Sequence, residues 1–375
     1  MKKGRGPHLH VFLGAGGVGK TTLSAGFALA LARQGARVGL ITVDPARRLK
    51  DALGVPDLSE QGTDIGLGAS VAAGTGGSLK AAFLNVNACF TRWVQEEGMP
   101  AQARDRLFEN RLFRAVVDKF ATSTDTFAAV RVSEWMELDS FDHIVVDTAP
   151  GLHALDFLSK PDKLMAFLDS KLVDWLKWFV GADPEKRTLV HRVFKSGAKR
   201  ILDGLAQIGG QNFLVNFGEF LVLLDDVFAT MLRRLERVVA WMRSDQAQFY
   251  LVTAVREDAI FVARRLMTEL QRLKTKHRVT IVNKALPDAL IHDPGLATLA
   301  LQRMDQGQSD PLHPQRPFVN FLSSYGRLQD EVLQDLGAAS RPILVPLASG
   351  LDGTEDIRMD DLVQLGQRVL DASQA

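Results

Sequence analysis

The chain holds one cysteine, Cys89, in 375 residues. A single thiol excludes an intrachain disulfide and a cage of thiolate metal ligands. It predicts a small packed side chain and a reducing, cytoplasmic setting. Charge of either sign is not in excess: 45 Lys and Arg stand against 44 Asp and Glu. The balance gives no reason to expect nucleic acid or a membrane surface as partner. Long unbroken apolar runs are also lacking. The greasy stretch 164–180 is cut by Asp169, Lys171, Asp174 and Lys177, and the stretch 213–232 by Glu219, Asp225 and Asp226. Charges at that density argue against a transmembrane span. No signal peptide is expected, since the basic start Met1–Arg5 runs almost at once into a strand and its loop. No internal repeat is visible. The composition, 46% hydrophobic and 24% charged, fits a globular protein of one large domain with an insertion, or two domains.

The richest feature that is present is Gly14-Ala15-Gly16-Gly17-Val18-Gly19-Lys20-Thr21-Thr22, directly after the apolar run Leu9–Leu13. It is a complete phosphate-binding P-loop. Glycines let backbone N–H groups turn toward phosphate oxygens without side chains in the way. Lys20 supplies a point charge for the β- and γ-phosphates, and the Thr21 hydroxyl is suited to Mg²⁺. A helix is predicted over Thr22–Gln34, with Gly35 as its stop. Its amino end faces the loop and favours an anion there.

Further strands are predicted at Val38–Val43, Asp142–Asp147, Phe249–Thr253, Val279–Asn283 and Pro342–Leu347. Residues 62–78, rich in Gly, Ala, Ser and Thr, predict a mobile surface loop. Cys89–Glu137 reads as mostly helical, broken at Gly98-Met99-Pro100. The stretch from about 155 to 243 reads as several amphipathic helices. Together these predict an α/β fold: a doubly wound, mostly parallel sheet carrying the P-loop. The whole of 1–375 forms one domain in this reading. About 155–243, with part of 88–137, forms a helical subdomain inserted in it. In such a sheet ligands sit at the carboxyl ends of strands. The P-loop, Asp44 and Asp147 all follow strands.

Asp147 ends a hydrophobic strand, as a carboxylate that holds Mg²⁺ or its water does; the alternative is a turn or helix-capping Asp. Asp44 either positions or deprotonates an attacking water or is a turn residue before Pro45. His153, near Asp147, is catalytic or structural.

The P-loop, Asp44-Pro45-Ala46, and Asp147-Thr148-Ala149-Pro150 followed by His153 resemble the family of arsenite-pump ATPases and tail-anchored-protein-targeting ATPases. The likeness is nearer to a bacterial branch, through Asp44–Leu49 and Ala154–Leu158. The resemblance spans about Leu9 to Ile357. It implies ATP and Mg²⁺ at the interface of a dimer. The cofactor-binding residues would be Gly14, Ala15, Gly16, Gly17, Val18, Gly19, Lys20, Thr21 and Thr22. Lys20 and Asp44 would be catalytic, Asp44 as the carboxylate that activates water. Thr21, Asp44 and Asp147 would serve the metal. Asn283 matches an adenine-reading Asn, and Val345-Pro346-Leu347 a segment packed on the base. As a strand-end residue, Asn283 is equally well read as a turn Asn.

Three departures stand out. The family's signature Lys at the second loop position is Ala15 here. A homodimer lacks that cation, which either leaves turnover slow or calls for a Lys-bearing paralogue in a heterodimer; Arg47 or Arg48 is another candidate substitute. One cysteine supports neither thiolate capture of arsenite nor a paired-cysteine zinc site. After Pro150 the chain reads Gly151-Leu152-His153 rather than Thr-Gly-His.

The apolar positions of 164–179 and 213–232 recur at helical spacing. They form either a helical core, a groove for a client helix, or a face for a partner subunit. The leading functional reading is a Mg²⁺-dependent ATPase coupled to a protein or membrane-protein client. The second is a nucleotide-gated binding module with little turnover. A DNA- or membrane-partition ATPase is disfavoured by the charge balance and by the short, mixed segment Asp361–Ser373. A small-molecule kinase is disfavoured by the Asp-Pro-Ala and Asp-Thr-Ala-Pro motifs.

Overall fold

A computed structural model describes residues 6–43, 46–68, 77–85, 88–89, 92, 95, 101–109, 124–138, 140–151, 225–273, 275, 277–286, 316–337, 342–346 and 358–374. Its strands are β1 (His8–Gly14), β2 (Arg37–Thr42), β3 (Thr63–Ile65), β4 (Ser78–Phe83), β5 (His143–Asp147), β6 (Ala247–Ala254), β7 (His277–Ala285) and β8 (Ile343–Pro346). Its helices are α1 (Lys20–Arg33), α2 (Ala46–Leu53), α3 (Ala101–Glu109), α4 (Thr124–Glu137), α5 (Asp225–Met242), α6 (Glu257–Arg272), α7 (Arg316–Gly337) and α8 (Met359–Gln374). The chain divides into two compact units. One comprises Met1–Phe83, Trp135–Asp156 and Trp241–Ala375; the other comprises Leu84–Glu134 and Phe157–Ala240.

The first unit carries an eight-stranded sheet in the order β3-β4-β2-β5-β1-β6-β7-β8. All pairings are parallel except β3 with β4. The strand order runs outward in both directions from β1, so the sheet is wound two ways and the P-loop leaves its centre. The predicted loop at 62–78 is corrected at its two ends, while 69–76 lie outside the described residues. Thr63–Ile65 pairs antiparallel with β4, and Ser78 already belongs to β4. Three residues are too few to show a periodicity, and only the neighbouring strand makes them β.

The buried centre of the sheet explains its composition. Leu9, Val11, Phe12 and Leu13 of β1 and Ile144, Val145 and Val146 of β5 are all fully buried. A strand covered on both faces needs apolar residues at consecutive positions rather than alternate ones. Phe12 stacks on Tyr250 of β6 at 4.6 Å between ring centroids, and Phe27 of α1 meets Phe12 edge-on at 5.6 Å.

Helix α1 packs on β1, β2, β4 and β5 and is crossed by α8. The crossing explains why α1 is apolar nearly all round, with Ala25, Phe27, Ala28, Leu29 and Ala32 at zero exposure. Two glycines make the approach: a Cβ on Gly26 would lie 2.4 Å from the Leu362 carbonyl oxygen, and one on Gly366 would lie 1.9 Å from that of Gly26. Segment 361–373, short and mixed as sequence, is therefore core structure. Leu362, Leu365, Val369 and Leu370 are buried, and its apolar face is already occupied. No described helix is long and apolar enough to cross a membrane.

Three histidines gather at the amino ends of β1 and β5, the edge away from the P-loop. His8 and His143 stack at 5.3 Å, and His10 Nε2 lies 3.0 Å from His143 Nδ1. Burial is the main force holding His143 down to about 4, with the neighbouring His8 adding to it and Asp142 opposing. Burial, then His143 and His8, hold His10 well below its ordinary range. The unfolded chain protonates His143 near pH 6.5, whereas the folded one refuses that proton until about 4. Stability from keeping His143 neutral is therefore complete above about pH 6.5 and is lost as pH falls toward 4, and the lowered His10 acts in the same direction. His143 is partly solvated, so its share is about 1–2 kcal/mol. The melting temperature is expected to drop between pH 7 and pH 5, and the slope to flatten in His143→Asn. A pH-independent melting temperature over that range would contradict this.

In the second unit, Cys89 is fully buried, as its packing role predicts. Glu134 is enclosed by Arg92 at 3.1 Å, Arg131 at 2.5 Å and Arg234 at 3.6 Å.

Candidate phosphate and metal site

Gly14 closes β1 against β6: a Cβ there would fall 2.1 Å from the Val252 carbonyl oxygen. Gly17 and Gly19 hold left-handed φ values of 72° and 90°, which side-chain-bearing residues adopt at a cost. Gly19 caps α1 with no side chain in play. Val18 is buried beneath the loop. The Lys20 ammonium is buried and folded back, donating to the carbonyls of Gly14 at 3.2 Å and Ala15 at 3.0 Å. The loop thus holds its own cation at the mouth of the helix.

Asp147 ends β5, and the parallel register sets it beside Phe12 of β1 and Thr42 of β2. The Thr21 hydroxyl donates to Asp147 Oδ2 at 2.7 Å, and the Thr42 hydroxyl donates to the same oxygen at 3.0 Å. Asp147 is fully buried. The next residue, Thr148, donates its hydroxyl to the Phe12 carbonyl at 2.7 Å, tying β5 to β1 at the root of the loop. Thr22, after Thr21, lies in the first turn of α1 and is half-buried.

Asp44 lies outside the described residues, as does His153. The backbone just before Asp44 is described: the Val43 N–H donates to the Asp147 carbonyl at 2.9 Å. The chain therefore leaves β2 alongside Asp147. Arg48 is exposed on α2, and Ala46 opens that helix.

Asn283 is brought to the loop from β7. Its amide Nδ2 donates to the Val18 carbonyl at 2.8 Å, and a Cβ on Gly19 would lie 2.3 Å from that nitrogen. Asn283 thus buttresses the P-loop from behind. The following residue, Lys284, takes φ 59°, the one described non-glycine with positive φ. The ladder to β8 slips there, so that Ala285 rather than Lys284 faces Pro346. Tyr325 of α7 donates to the Lys284 carbonyl at 2.6 Å, and Gln329 clasps both backbone groups of Leu286. Pro346 ends β8, and Leu347 lies outside the described residues.

Two contributors escape a reading of motifs alone. Thr42 is a buried hydroxyl on Asp147. Arg256 follows β6 at the same edge and reaches Gly16. A polar residue closing an apolar strand is the signal both share. The helical stretches 164–179 and 213–224 lie outside the described residues.

The carboxyl edge thus holds a glycine-rich phosphate cradle, a lysine, and a threonine–aspartate pair. This defines the chain as an α/β protein of the P-loop nucleotide-binding class. A model of the anion-transporting ATPase family matches residues 8–306, and the chain belongs to that family. It is similar to the arsenical pump-driving ATPase of Escherichia coli, 29% identical over 164 residues, 42% of this chain and 26% of the relative. It is similar to ATPase BagA of Mycobacterium tuberculosis, 29% identical over 160 residues, 41% of this chain and 45% of the relative. It also resembles ATPase get3 of Schizosaccharomyces japonicus, 29% identical over 153 residues, 40% of this chain and 43% of the relative. The aligned region thus spans between about a quarter and a half of these relatives.

Proposed function

We propose that the chain is a Mg²⁺-dependent ATPase whose nucleotide cycle drives a change of conformation in a dimer and the handling of a client. The observation that supports it most is the 2.7 Å contact of Thr21 with Asp147 beside Lys20. Two hard oxygen donors, one anionic, converge where a P-loop presents phosphates. That donor set fits Mg²⁺. When bound, the cation would neutralise charge on the β- and γ-phosphates. Thr21 and Asp147 would hold it, directly or through its waters.

The chain's own residues do the rest. Lys20 exchanges two loop carbonyls for phosphate oxygens. Backbone N–H groups of the loop share the developing negative charge. Asp44 orients and accepts a proton from the water that attacks the γ-phosphate in line. Asn283, already on the loop, and Pro346, at the end of the neighbouring strand, would contact the base. The cytoplasm, with a homodimer or a heterodimer with a paralogous ATPase, is the setting this reading implies.

A second reading has an observation of its own. Ala15 occupies the place of the family's signature Lys, and the residue is 3% exposed. A site without that cation suits a nucleotide-gated switch with little turnover, completed by a Lys-bearing partner. Cys89, single and buried, does not supply thiolates for an anion cargo.

Steady-state MgATP hydrolysis by the purified chain, across a range of protein concentrations and beside Asp44→Asn, decides between them. The expected result is turnover that rises with dimerisation and is lost in Asp44→Asn with binding retained. Tight MgATP binding without turnover would move the conclusion to the second reading. No MgATP binding would overturn both.

A further inference from the structure

Arg256 is the residue that neither the family motifs nor the Mg²⁺ site accounts for. It caps α6 in extended backbone, φ −148° and ψ 137°. Its Nη2 donates to the Gly16 carbonyl at 3.0 Å, across 240 residues of sequence. The same guanidinium is braced by Asp258: Nε reaches Oδ1 at 3.1 Å and Nη2 reaches Oδ2 at 3.1 Å. Nη1 lies 3.8 Å from where a Cβ would stand on Gly17. The guanidinium therefore lies over the Gly16–Gly17 peptide, about half exposed.

That peptide is trans, as are all the described ones, so its N–H points opposite to its C=O. Holding the carbonyl toward Arg256 turns the Gly17 N–H away from it. Gly17 sits at φ 72°, and a glycine peptide is otherwise free to rotate through several minima. A charge-assisted hydrogen bond is strong enough to select one of them.

We propose that Arg256, braced by Asp258, is a positioning residue of the phosphate site. It fixes the Gly16–Gly17 peptide so that the Gly17 N–H is set for a nucleotide phosphate before the nucleotide arrives. The inference rests on the reading that the P-loop binds nucleotide. It gives the chain a cation at its own loop, on the opposite side of the sheet centre from the Asp44 strand.

The test is calorimetric titration of the full chain with MgADP and with a non-hydrolysable MgATP analogue, for wild type, Arg256→Ala, Arg256→Lys and Asp258→Asn. Melting of the nucleotide-free proteins is measured alongside. Arg256→Ala is expected to weaken both nucleotides about tenfold, with the nucleotide-free melting temperature unchanged. Arg256→Lys, which still donates to Gly16 but cannot span to Asp258, is expected to recover part of the loss. Asp258→Asn is expected to fall between wild type and Arg256→Ala. Wild-type affinity in Arg256→Ala would overturn the assignment. So would a loss that tracks a lowered melting temperature and is not eased by lysine. If the wild-type chain binds neither nucleotide, the P-loop reading itself falls and this inference with it; binding by wild type with no effect in the variants removes the inference alone.

Discussion

Lys20→Ala is expected to lower affinity for a non-hydrolysable MgATP analogue by about a hundredfold and to reduce turnover to background. Lys20 is buried with its ammonium on the Gly14 and Ala15 carbonyls. Binding a polyphosphate replaces those two neutral acceptors with anionic oxygens, so the lysine gains on binding rather than merely remaining in place. Alanine loses that gain. Lys20→Arg is not expected to rescue, because a planar fork cannot occupy the space of a compact ammonium in a closed loop. Fluorescence titration with a labelled nucleotide reads the affinity directly. A Lys20→Ala chain that binds and turns over within threefold of wild type would remove the P-loop from the mechanism.

Gly366→Ala is the second large effect, and it acts far from any phosphate. The added methyl group would stand 1.9 Å from the Gly26 carbonyl oxygen and 2.5 Å from the Phe27 nitrogen. Both are backbone atoms inside a hydrogen-bonded helix, so no rotamer relieves the contact. Helix α8 must move off α1, and it takes Leu362, Leu365, Val369 and Leu370 part-way out of the core. Overpacking of this kind costs about 2–3 kcal/mol, a drop of roughly 3–6 °C in the melting temperature. Gly6→Ala, where nothing lies within 4 Å, is the control and is expected to melt like wild type. Because α1 opens at Lys20 and Thr21, Gly366→Ala is also expected to weaken nucleotide binding. Equal melting of the two variants would show that α1 and α8 do not meet closely.

The sequence made much of this legible where chemistry and periodicity coincide. The P-loop needs its glycines, Lys20 and Thr21 in one order, and the strand before it is apolar at Leu9 and at Val11–Leu13. Asp147 was readable for the same reason. The pairing of Thr42 with Asp147 was not, since it depends on which strands lie side by side. Nothing local in 37–42 says that β2 neighbours β5 in register. Arg256 was hidden by the same non-local fact, that β6 rather than β5 flanks β1 on the other side. Strand β3 was missed because Gly, Ser and Thr dominate its surroundings and only β4 gives it a partner. The segment 361–373 was undervalued because its mixed composition hides two glycine-assisted contacts that exist only once α1 is opposite. Asn283, matched as a reader of adenine, also donates to the back of the loop, a contact set by the register of β6 and β7.

The central place of β1 has a consequence for how the protein comes into being. Its neighbours in the sheet are β5 and β6: His10 meets His143 and Tyr250, 133 and 240 residues further along. At a synthesis rate of about 5–20 residues per second, the strand leading to the phosphate cradle emerges on the order of ten seconds or more before its second neighbour. Leu9, Val11, Phe12 and Leu13 lack the cover of β6 through that interval. Contacts this distant in sequence also slow folding. Nascent chains of this protein are therefore expected to depend on chaperones that shield apolar segments, and the cradle to form late, after most of the chain has been made.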